Sequence, residues 1–553
     1  MTKMIKLKTV LLTGIFLLAA ATTPRLYAGD HDGGRDDDHG IRHVLLISVD
    51  GMHALDFANC AKGISGVNGG KPYCPHLAQL SQNGVSYIQA SSSKPSDSFP
   101  GLLAQLTGGS PRSTGVFYDV SYDRSLSPPV KDTANGIPGG ACPGQIGTPV
   151  GFDESDDFDL SKLDGAGGIN PDFLPRDPSK GCAPVFPHQF LRVNTIFEVV
   201  KAAGGYTAWT DKHPAYELVK GPSGNGLNDF YGPEINSIPV PLPQIAGCSP
   251  LPDQAAATPG DDWTTSFQNI QCYDTLHVRA TLNQIDGKTH DGSAAAPVPN
   301  VFGFNFQAVS VGQKLVEKVI GQTGGYKDAL GRPSDGLLSE IEFVDKSIGQ
   351  LVAELKKQDL LESTLIIVSA KHGQSAIDPH RVLRIPADNP ADSSPATILG
   401  PLVAQSIEDD ESLIWLADQS QTESAVATLE ANADKAGIGE ILSGPYINLF
   451  FNPADKDPRT PDIIVTPHVG VVYTGKKKKV AEHGGFNQDD THVLLLVANP
   501  GLSPVTVSSP VETSQIAPTI LKALGLDPRE LQAVRKEGTQ TLPGLHLPAG
   551  DLH

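Results

Sequence analysis

The sequence predicts an α/β fold in which helices flank a mainly parallel central sheet. Three short apolar segments lead to this prediction, and they lie within residues 43–52, 301–309 and 365–368. Continuous apolar segments of this length are typical of strands that are covered on both faces. Segments with apolar residues at helical spacing lie between them, and alternating strands and helices predict a layered α/β domain.

The remaining elements follow in a regular order along the chain. Residues 75–84 have a helical pattern that stops at Gly84, and residues 98–109 predict a turn that opens a helix, with Ser98 at its amino end. The later elements are a helix, turn and strand (195–217), the strand 301–309, a long helix (336–358), the strand 365–368, two strand-containing segments (461–475 and 482–501) and a closing helix (514–528).

Three segments are predicted to be loop-rich insertions. Residues 120–190 and 220–296 are rich in Pro, Gly and Asp and show weak periodicity, and residues 376–460 form a further mixed segment. The chain contains 57 Gly and 45 Pro, a composition that favours many irregular connections. We therefore expect one catalytic domain, residues 41–545, that is enlarged by these insertions.

The amino terminus has the layout of a secretory signal peptide. Residues 1–28 contain three lysines, then an apolar segment (10–23), then Ala28 at a plausible cleavage point. Because the apolar segment is too short for a comfortable membrane span, we expect a secreted or periplasmic protein with no membrane span in the mature chain. An uncleaved anchor is the less favoured alternative. Residues 29–40 predict a disordered, acidic linker.

The net charge argues against one class of partner. The formal charge is −20, and removal of residues 1–28 with their four cationic residues makes it −24. An overall field of this sign repels a phosphate backbone, so nucleic-acid duplex binding is not expected.

The six cysteines indicate disulfides formed in an oxidising compartment. They all follow the signal peptide, and six cysteines allow 15 pairings. We favour pairing between sequence neighbours, because each bond would then staple a loop-rich segment: Cys60 with Cys74, Cys142 with Cys182, and Cys248 with Cys272. The absence of a CxxC pattern argues against a zinc-thiolate site.

Polar side chains stand at strand ends and helix starts throughout this framework. They are Asp50, Ser98, the pair Lys371 and His372, and His483. Each has a simpler structural interpretation by itself, since Asp and Ser often cap helices and a buried His is commonly a hydrogen-bonded core residue. Their order along an α/β chain is what suggests chemistry.

Five segments, taken in order, resemble the type I phosphodiesterase and nucleotide pyrophosphatase branch of the alkaline phosphatase superfamily. They are "LLISVDGM", "SDSFPGLLAQLTGG", "LIIVSAKHGQ", "EHGGF" and "IAPTILKALGL", and they extend over residues 41–530. The resemblance implies an alkaline phosphatase-like fold and hydrolysis of small-molecule phosphate esters. The absence of a Cys/Ser-x-Pro-x-Arg sequence argues against the sulfatase branch.

The resemblance also implies a site with two divalent metal ions, of which zinc is the expected kind. In the family a serine or threonine attacks phosphorus in line and forms a phospho-enzyme, which water then hydrolyses. Matching positions assign Ser98 as nucleophile and metal ligand, Asp50 and His372 as ligands of the first metal, and His483 as a ligand of the second.

The chain departs from the family pattern at several ligands. Lys371 stands where the family has Asp, and the family's Asp-x-x-Gly-His is best matched by residues 309–313, in which Val309 and Gln313 replace both ligands. Asp119 falls near a position where the family has a substrate-contacting Asn. We therefore expect one metal ion or none.

Charge suggests a role for Lys371. In the family's first metal site, two carboxylates balance one divalent ion, and here the charges of Asp50 and Lys371 cancel without a metal. A divalent ion placed beside Lys371 would be repelled by the like charge of the ammonium. We hypothesise that Lys371 takes the first metal position, pairs with Asp50 and helps to activate Ser98. The alternative is a buried salt bridge left over from a lost site.

Asp211 and His213 could replace the lost metal ligands, but hydrogen bonding within a loop is the favoured interpretation for both.

Two functions of different classes fit these observations. The first is an exported phosphodiesterase-like or nucleotide pyrophosphatase-like hydrolase that works through Ser98 and Lys371 with a reduced or lysine-substituted metal site. The alternative is a catalytically degenerate relative that acts as an anion-binding or interaction protein. Hydrolysis of another ester, such as a sulfate or phosphonate, is a third and weaker option.

Overall fold

The computed structural model describes residues 40–550, apart from 238–241, 243–244, 246–247, 249–262, 319, 477–478 and 547–549. The predicted signal peptide (1–28) and all but the last residue of the predicted linker (29–40) lie outside the described residues. No helix of the described part is both long and apolar enough to cross a membrane.

An eight-stranded sheet forms the centre of the molecule. Its strands, labelled in chain order, are β1 (His43–Val49), β2 (Gly84–Tyr87), β3 (Ala208–Thr210), β4 (Asp229–Tyr231), β5 (Val301–Phe306), β6 (Thr364–Ser369), β7 (Leu495–Ala498) and β8 (Val505–Val507). Their spatial order is β8-β2-β7-β6-β1-β5-β3-β4. Strand β7 pairs antiparallel with β2 and β6, and the other neighbours are parallel. The predicted mainly parallel sheet is confirmed.

The register of the central strands brings their carboxyl ends together. Ser48 of β1 pairs with Ser369 of β6, and Val49 pairs with Phe306 of β5. The residues that follow these strands therefore meet at one edge of the sheet, which is where parallel α/β sheets place ligand sites.

Alternate side chains of β1 face two apolar cores. Val44 and Leu46 belong to the core that lies under the helices Ser98–Thr107, Ile196–Ala202 and Ile516–Ala523. Leu45 and Ile47 belong to the core on the opposite face. Each of these side chains is fully buried, which stabilises the fold by roughly 1.5–3 kcal/mol per side chain. Both faces of the sheet are thus covered, as the continuous apolar strands predict.

Helices of very different length surround the sheet and the insertions. The α-helices of the described residues are Ala54–Lys62, Pro75–Ser81, Ser98–Thr107, Pro111–Thr114, Pro187–Phe190, Ile196–Ala202, Phe267–Ile285, Ala308–Lys314, Asp335–Lys357, Pro395–Leu399, Thr422–Glu430, Ala433–Ala436, Gln488–Thr491, Ile516–Ala523 and Gln532–Glu537. Short 3₁₀ helices are Asn68–Gly70, Glu154–Asp156, Pro171–Phe173, Pro178–Lys180, Pro214–Lys220, Pro379–Arg381, Gly400–Leu402, Gln419–Gln421, Gly444–Leu449, Thr513–Gln515 and Pro528–Glu530.

One long helix lies inside a segment that the sequence predicts to be loop-rich. Phe267–Ile285 spans 19 residues of the segment 220–296 and packs against the core next to β5. Its buried face includes Asp274 and His277 among the apolar side chains. Polar residues on the buried face weaken the helical spacing of apolar residues, which explains why the sequence pattern misses this helix.

Smaller sheets lie within the insertions and beside them. Four antiparallel strands form one sheet with the spatial order Val403–Glu408, Ser412–Leu416, Ile463–Pro467 and Ile438–Ser443. Two-stranded pairs are Ala90–Ser91 with Val511–Glu512, Val120–Asp123 with Thr148–Gly151, Arg176–Asp177 with Ala183–Pro184, Val316–Glu317 with Gln322–Thr323, and Leu383–Pro386 with Val471–Thr474.

The three disulfides join the predicted partners. Cys60 bonds to Cys74, Cys142 to Cys182 and Cys248 to Cys272, with Cα–Cα distances of 5.1, 5.9 and 5.5 Å. The prediction of sequence-neighbour pairing is confirmed. The last two bonds close chain segments of 40 and 24 residues within the first two insertions.

Candidate active site

Three residues that the family resemblance assigns to one metal position lie in mutual contact. Ser98 Oγ is 3.4 Å from Asp50 Oδ2 and 3.3 Å from His372 Nε2. His372 Nε2 is 3.6 Å from the same oxygen of Asp50. All three side chains are buried. The carboxyl ends of β1 and β6 therefore place a carboxylate and an imidazole beside one serine hydroxyl.

Ser98 is held there by the start of its helix. Asp97 caps the helix, its carboxylate accepting a hydrogen bond from Phe99 N at 3.0 Å. One turn into the helix, a Cβ at Gly101 would lie 2.1 Å from the carbonyl oxygen of Lys371. Only glycine permits this approach, so the helix packs directly on the chain that follows β6. The sequence prediction of Ser98 at the amino end of a helix is confirmed.

Lys212 is the ammonium group that contacts Ser98. It follows β3, and its Nζ lies 3.0 Å from Ser98 Oγ, 3.3 Å from Gln307 Oε1 and 3.7 Å from Asp50 Oδ2. The sequence pattern singles out both neighbours of this lysine, Asp211 and His213, but not the lysine itself. Its position at a strand end, beside Asp211, was the available signal.

Lys371 is fully buried and faces two carboxylates. Its Nζ lies 3.0 Å from Asp211 Oδ1 and 3.9 Å from Asp50 Oδ2, and it stands 4.4 Å from the centre of the Tyr216 ring. Burial lowers the pKa of Lys371, while Asp211 and Asp50 oppose that effect. The two lysines therefore have different contacts: Lys371 neutralises the carboxylates of Asp211 and Asp50, whereas Lys212 contacts the hydroxyl of Ser98.

Asp50 remains ionised in this setting. Burial by itself would raise its pKa, but the charges of Lys371 and Lys212 outweigh burial and hold the pKa of Asp50 well below its ordinary value. Its Oδ2 also accepts hydrogen bonds from Gln307 Nε2 at 2.6 Å and Asn305 Nδ2 at 3.1 Å. Hydrogen bonds to the charged form favour that form.

The imidazole of His372 is oriented as a base. Its Nδ1 lies 2.7 Å from the carbonyl oxygen of Gly373, which can only accept a hydrogen bond, so Nδ1 carries the proton. Nε2 then has a free lone pair directed towards Ser98 Oγ. Burial lowers the pKa of His372 despite the charge of Asp50, so the ring is neutral at neutral pH.

His483 lies beside this group rather than apart from it. Its ring stands 3.9 Å from the ring of His372 at an interplanar angle of 30°. Its Nδ1 is 3.5 Å from Asp97 Oδ1. Burial, together with the charges of Lys314 and Lys212, holds the pKa of His483 well below its ordinary value. Every site residue expected from the sequence is therefore brought to one edge of the sheet.

Carboxyl groups line the side of the site near His483. Burial and neighbouring carboxylates raise the pKa of Asp97 to about 6, of Asp119 to about 7 and of Asp409 to about 7. Tyr118 donates a hydrogen bond to Asp409 at 2.9 Å. This side of the site is partly protonated at neutral pH, which reduces its repulsion of an anion.

The residues present do not fit the family's pair of metal ions. Val309 is buried in an apolar core, and Gln313 Nε2 donates to the carbonyl of Gly51 at 2.7 Å and to Tyr326 at 2.9 Å. Of the positions matched to the second metal, only His483 carries a metal-binding side chain. At the first position, two ammonium groups already lie within 4 Å of Asp50 Oδ2.

Comparisons with known proteins agree with this architecture. The sequence model of the family described as type I phosphodiesterase / nucleotide pyrophosphatase matches residues 44–137 and 319–491. The structure of murine ectonucleotide pyrophosphatase / phosphodiesterase 5 is 15% identical, with a TM-score of 0.53 over 88% of this chain and 96% of that chain. An inactive variant of the same protein has been solved in complex with AMP, at 14% identity and the same TM-score of 0.53 and coverage.

A second kind of solved structure has the same fold. The alkaline phosphatase PafA is 13% identical, with a TM-score of 0.55 over 88% of this chain and 96% of that chain. At such identities the likeness establishes the fold alone. No curated protein matches the chain significantly.

Proposed function

Because the chain belongs to the type I phosphodiesterase and nucleotide pyrophosphatase branch of the alkaline phosphatase superfamily, we propose that it is an exported hydrolase of phosphate esters. Ser98 is the nucleophile of this proposal. The observation that supports it is the contact of Ser98 Oγ with both a neutral imidazole and an ammonium group, at 3.3 and 3.0 Å. A base next to a hydroxyl is the arrangement that nucleophilic catalysis requires.

The proposed reaction has two steps. His372 Nε2 takes the proton of Ser98, the oxygen attacks phosphorus, and the ester oxygen leaves with the electrons of its bond and takes a proton from solvent, to which His372 releases the proton that it accepted. Water then attacks the phosphoserine and loses a proton to the neutral His372, which passes it to the departing serine oxygen; this restores the serine hydroxyl and releases phosphate or a phosphate monoester. The two steps balance, since each P–O bond formed replaces one that breaks.

The lysines supply the positive charge of the reaction. Lys212 stabilises the developing alkoxide of Ser98 and the charge on the phosphoryl oxygens, an effect that is strong in a buried site. Lys371 acts as a positioning residue, because it neutralises Asp50 and Asp211 without contacting the hydroxyl. These two ammonium groups take the role that the first metal ion has in the family, so we expect turnover without added zinc.

The proposed substrates are phosphodiesters or nucleotide-like esters. A neighbouring structure contains AMP, and the family description names phosphodiesterase and pyrophosphatase activities. Export is supported by the three disulfides, which persist in oxidising compartments.

Turnover of bis-p-nitrophenyl phosphate tests the proposal. We expect the parent to release p-nitrophenol both with EDTA and with added zinc or manganese, and Ser98→Ala to be inactive. Ser113→Ala is the matched control, because Ser113 is a buried serine of the next helix. Acid quenching followed by mass spectrometry should find phosphate on Ser98. Equal rates for the parent and Ser98→Ala would exclude hydrolysis of this substrate through Ser98.

The replacement of family ligands at Val309, Gln313 and Lys371 supports a second candidate function. In that case the site binds an anion next to Lys212 without turnover. Calorimetric titration with AMP distinguishes the two candidates, since binding by a protein that shows no hydrolysis supports the second.

A further inference from the structure

A second cluster of metal-binding side chains lies outside the Ser98 site. Glu154, His213 and Glu234 each direct a possible ligand atom to within 4.8 Å of the other two. Glu154 opens the 3₁₀ helix Glu154–Asp156 of the first insertion, whereas His213 and Glu234 follow β3 and β4. Among the residues that the structure describes, no other His, Cys, Asp or Glu side chains make such a group.

One of the two carboxylate oxygens of Glu234 has no hydrogen-bond donor among the described residues. It is fully buried, and its Oε1 accepts hydrogen bonds from His213 Nδ1 at 2.7 Å and Asn236 N at 2.9 Å. Its Oε2 meets no hydrogen-bond donor within the described part of the chain. A buried carboxylate oxygen without a donor or a cation is costly, so the cluster requires further positive charge.

A neighbouring carboxylate increases this requirement. Asp157 is 5% exposed, and neither of its oxygens has a donor among the described residues. Two ionised carboxylates cannot donate hydrogen bonds to each other, so a shared cation would stabilise both.

We infer that Glu154, His213 and Glu234 bind a divalent transition-metal ion, of which zinc and manganese are the representative kinds. An imidazole with two carboxylates suits such ions better than calcium, which prefers oxygen ligands alone. With metal–ligand bonds of about 2.0–2.2 Å at tetrahedral angles, ligand atoms on one ion lie about 3.3–3.6 Å apart, so side-chain rotations that bring these atoms up to about 1.5 Å closer together close the site.

The ion would connect the first insertion to the strand ends that carry the Ser98 site. His213 is adjacent to Lys212, whose ammonium contacts Ser98 Oγ. Metal binding would thus fix the backbone that presents Lys212. The inference does not rest on the proposed hydrolysis, because ion binding at this cluster is measurable in a protein without activity.

Zinc stoichiometry of the full chain tests the inference. After EDTA treatment and dialysis, calorimetric titration with zinc chloride and elemental analysis should find one tightly bound equivalent in the parent. Glu154→Gln and Glu234→Gln should each weaken binding by about 10- to 100-fold or more. Asp50→Asn should still bind one equivalent of zinc, since Asp50 belongs to the Ser98 site. Manganese chloride, titrated in the same way, serves as the second probe.

Glu217→Gln is the matched control. Glu217 is a buried glutamate that accepts a hydrogen bond from a histidine, His188 Nδ1, at 2.6 Å, but no third metal-binding side chain joins this pair among the residues that the structure describes. Circular dichroism checks that every variant is folded, and Glu154, which is only half-buried, remains informative if Glu234→Gln does not fold.

Anomalous diffraction at the zinc edge locates the ion. A peak among Glu154, His213 and Glu234 is expected. The inference is overturned if neither zinc nor manganese binds, if Glu154→Gln retains full affinity, or if the equivalent is lost in Asp50→Asn or Glu217→Gln.

Discussion

Lys212 Nζ donates a hydrogen bond to Ser98 Oγ across 3.0 Å. The donor and acceptor come from separate elements of the fold, since Lys212 follows β3 and Ser98 opens the helix Ser98–Thr107. The side chain of Lys212 is 15% exposed, so water screens the contact only in part. An ammonium beside a hydroxyl stabilises the alkoxide that forms when the hydroxyl loses its proton.

Replacing Lys212 tests its role in the reaction. Lys212→Met should lower kcat/KM for bis-p-nitrophenyl phosphate by about 10²–10³-fold, because it removes the cation next to the attacking oxygen. Lys220→Met is the control, since Lys220 pairs with Glu217 at 3.7 Å at the far end of the following 3₁₀ helix. An unchanged kcat/KM in a folded Lys212→Met protein would contradict the proposed role.

The pH dependence of turnover reports on His372. The base must be unprotonated, and burial lowers the pKa of His372 below its ordinary value of 6.5. Activity should therefore be present above that pKa and fall as the pH drops through it, which places the acid limb of kcat/KM below pH 6.5. An acid limb of kcat/KM centred above pH 6.5 would show that the imidazole of His372 is not the neutral base. His372→Ala should remove this acid limb and most of the activity.

Lys371 should contribute more to stability than to chemistry. Lys371→Met leaves Asp50 and Asp211 buried without their shared cation, which should lower the free energy of unfolding by about 3–5 kcal/mol. Adding Asp211→Asn should recover about 1 kcal/mol or more, because the second carboxylate no longer needs a partner.

Urea unfolding followed by circular dichroism measures these differences. Lys357→Met is the control, since Lys357 forms an exposed pair with Glu354, and water screens such pairs so that their loss changes stability little. Equal destabilisation by Lys371→Met alone and with Asp211→Asn would show that the two side chains are not coupled.

The disulfide of the first insertion should stabilise the folded chain. Cys142 and Cys182 are 40 residues apart, so replacing both with serine should cost about 4 kcal/mol, compared with about 3 kcal/mol for the 14-residue separation of Cys60 and Cys74. Urea unfolding of the two double variants provides the comparison. Peptide mapping without reductant checks the pairing, and a free thiol at any of these four positions in protein exported to an oxidising compartment would contradict it.

Much of the fold and part of the site can be predicted from the sequence. The continuous apolar strands β1, β5 and β6 predict a sheet covered on both faces, and such strands place their following residues at one edge. Asp50 and His372 are thereby expected to be neighbours. The helix Phe267–Ile285 is missed because polar residues on its buried face disturb the helical spacing.

The sequence by itself determined the layered α/β architecture through its local periodicity, and it favoured the disulfide partners that form. Motifs in a fixed order, through the family resemblance, grouped Asp50, Ser98, His372 and His483. Only the tertiary structure decided which lysine reaches Ser98 and that Glu154, His213 and Glu234 converge. Both lysines follow parallel strands, so the sequence places them at the same edge. Their partners depend on distances between side chains of different strands and insertions, and sequence spacing does not encode those distances.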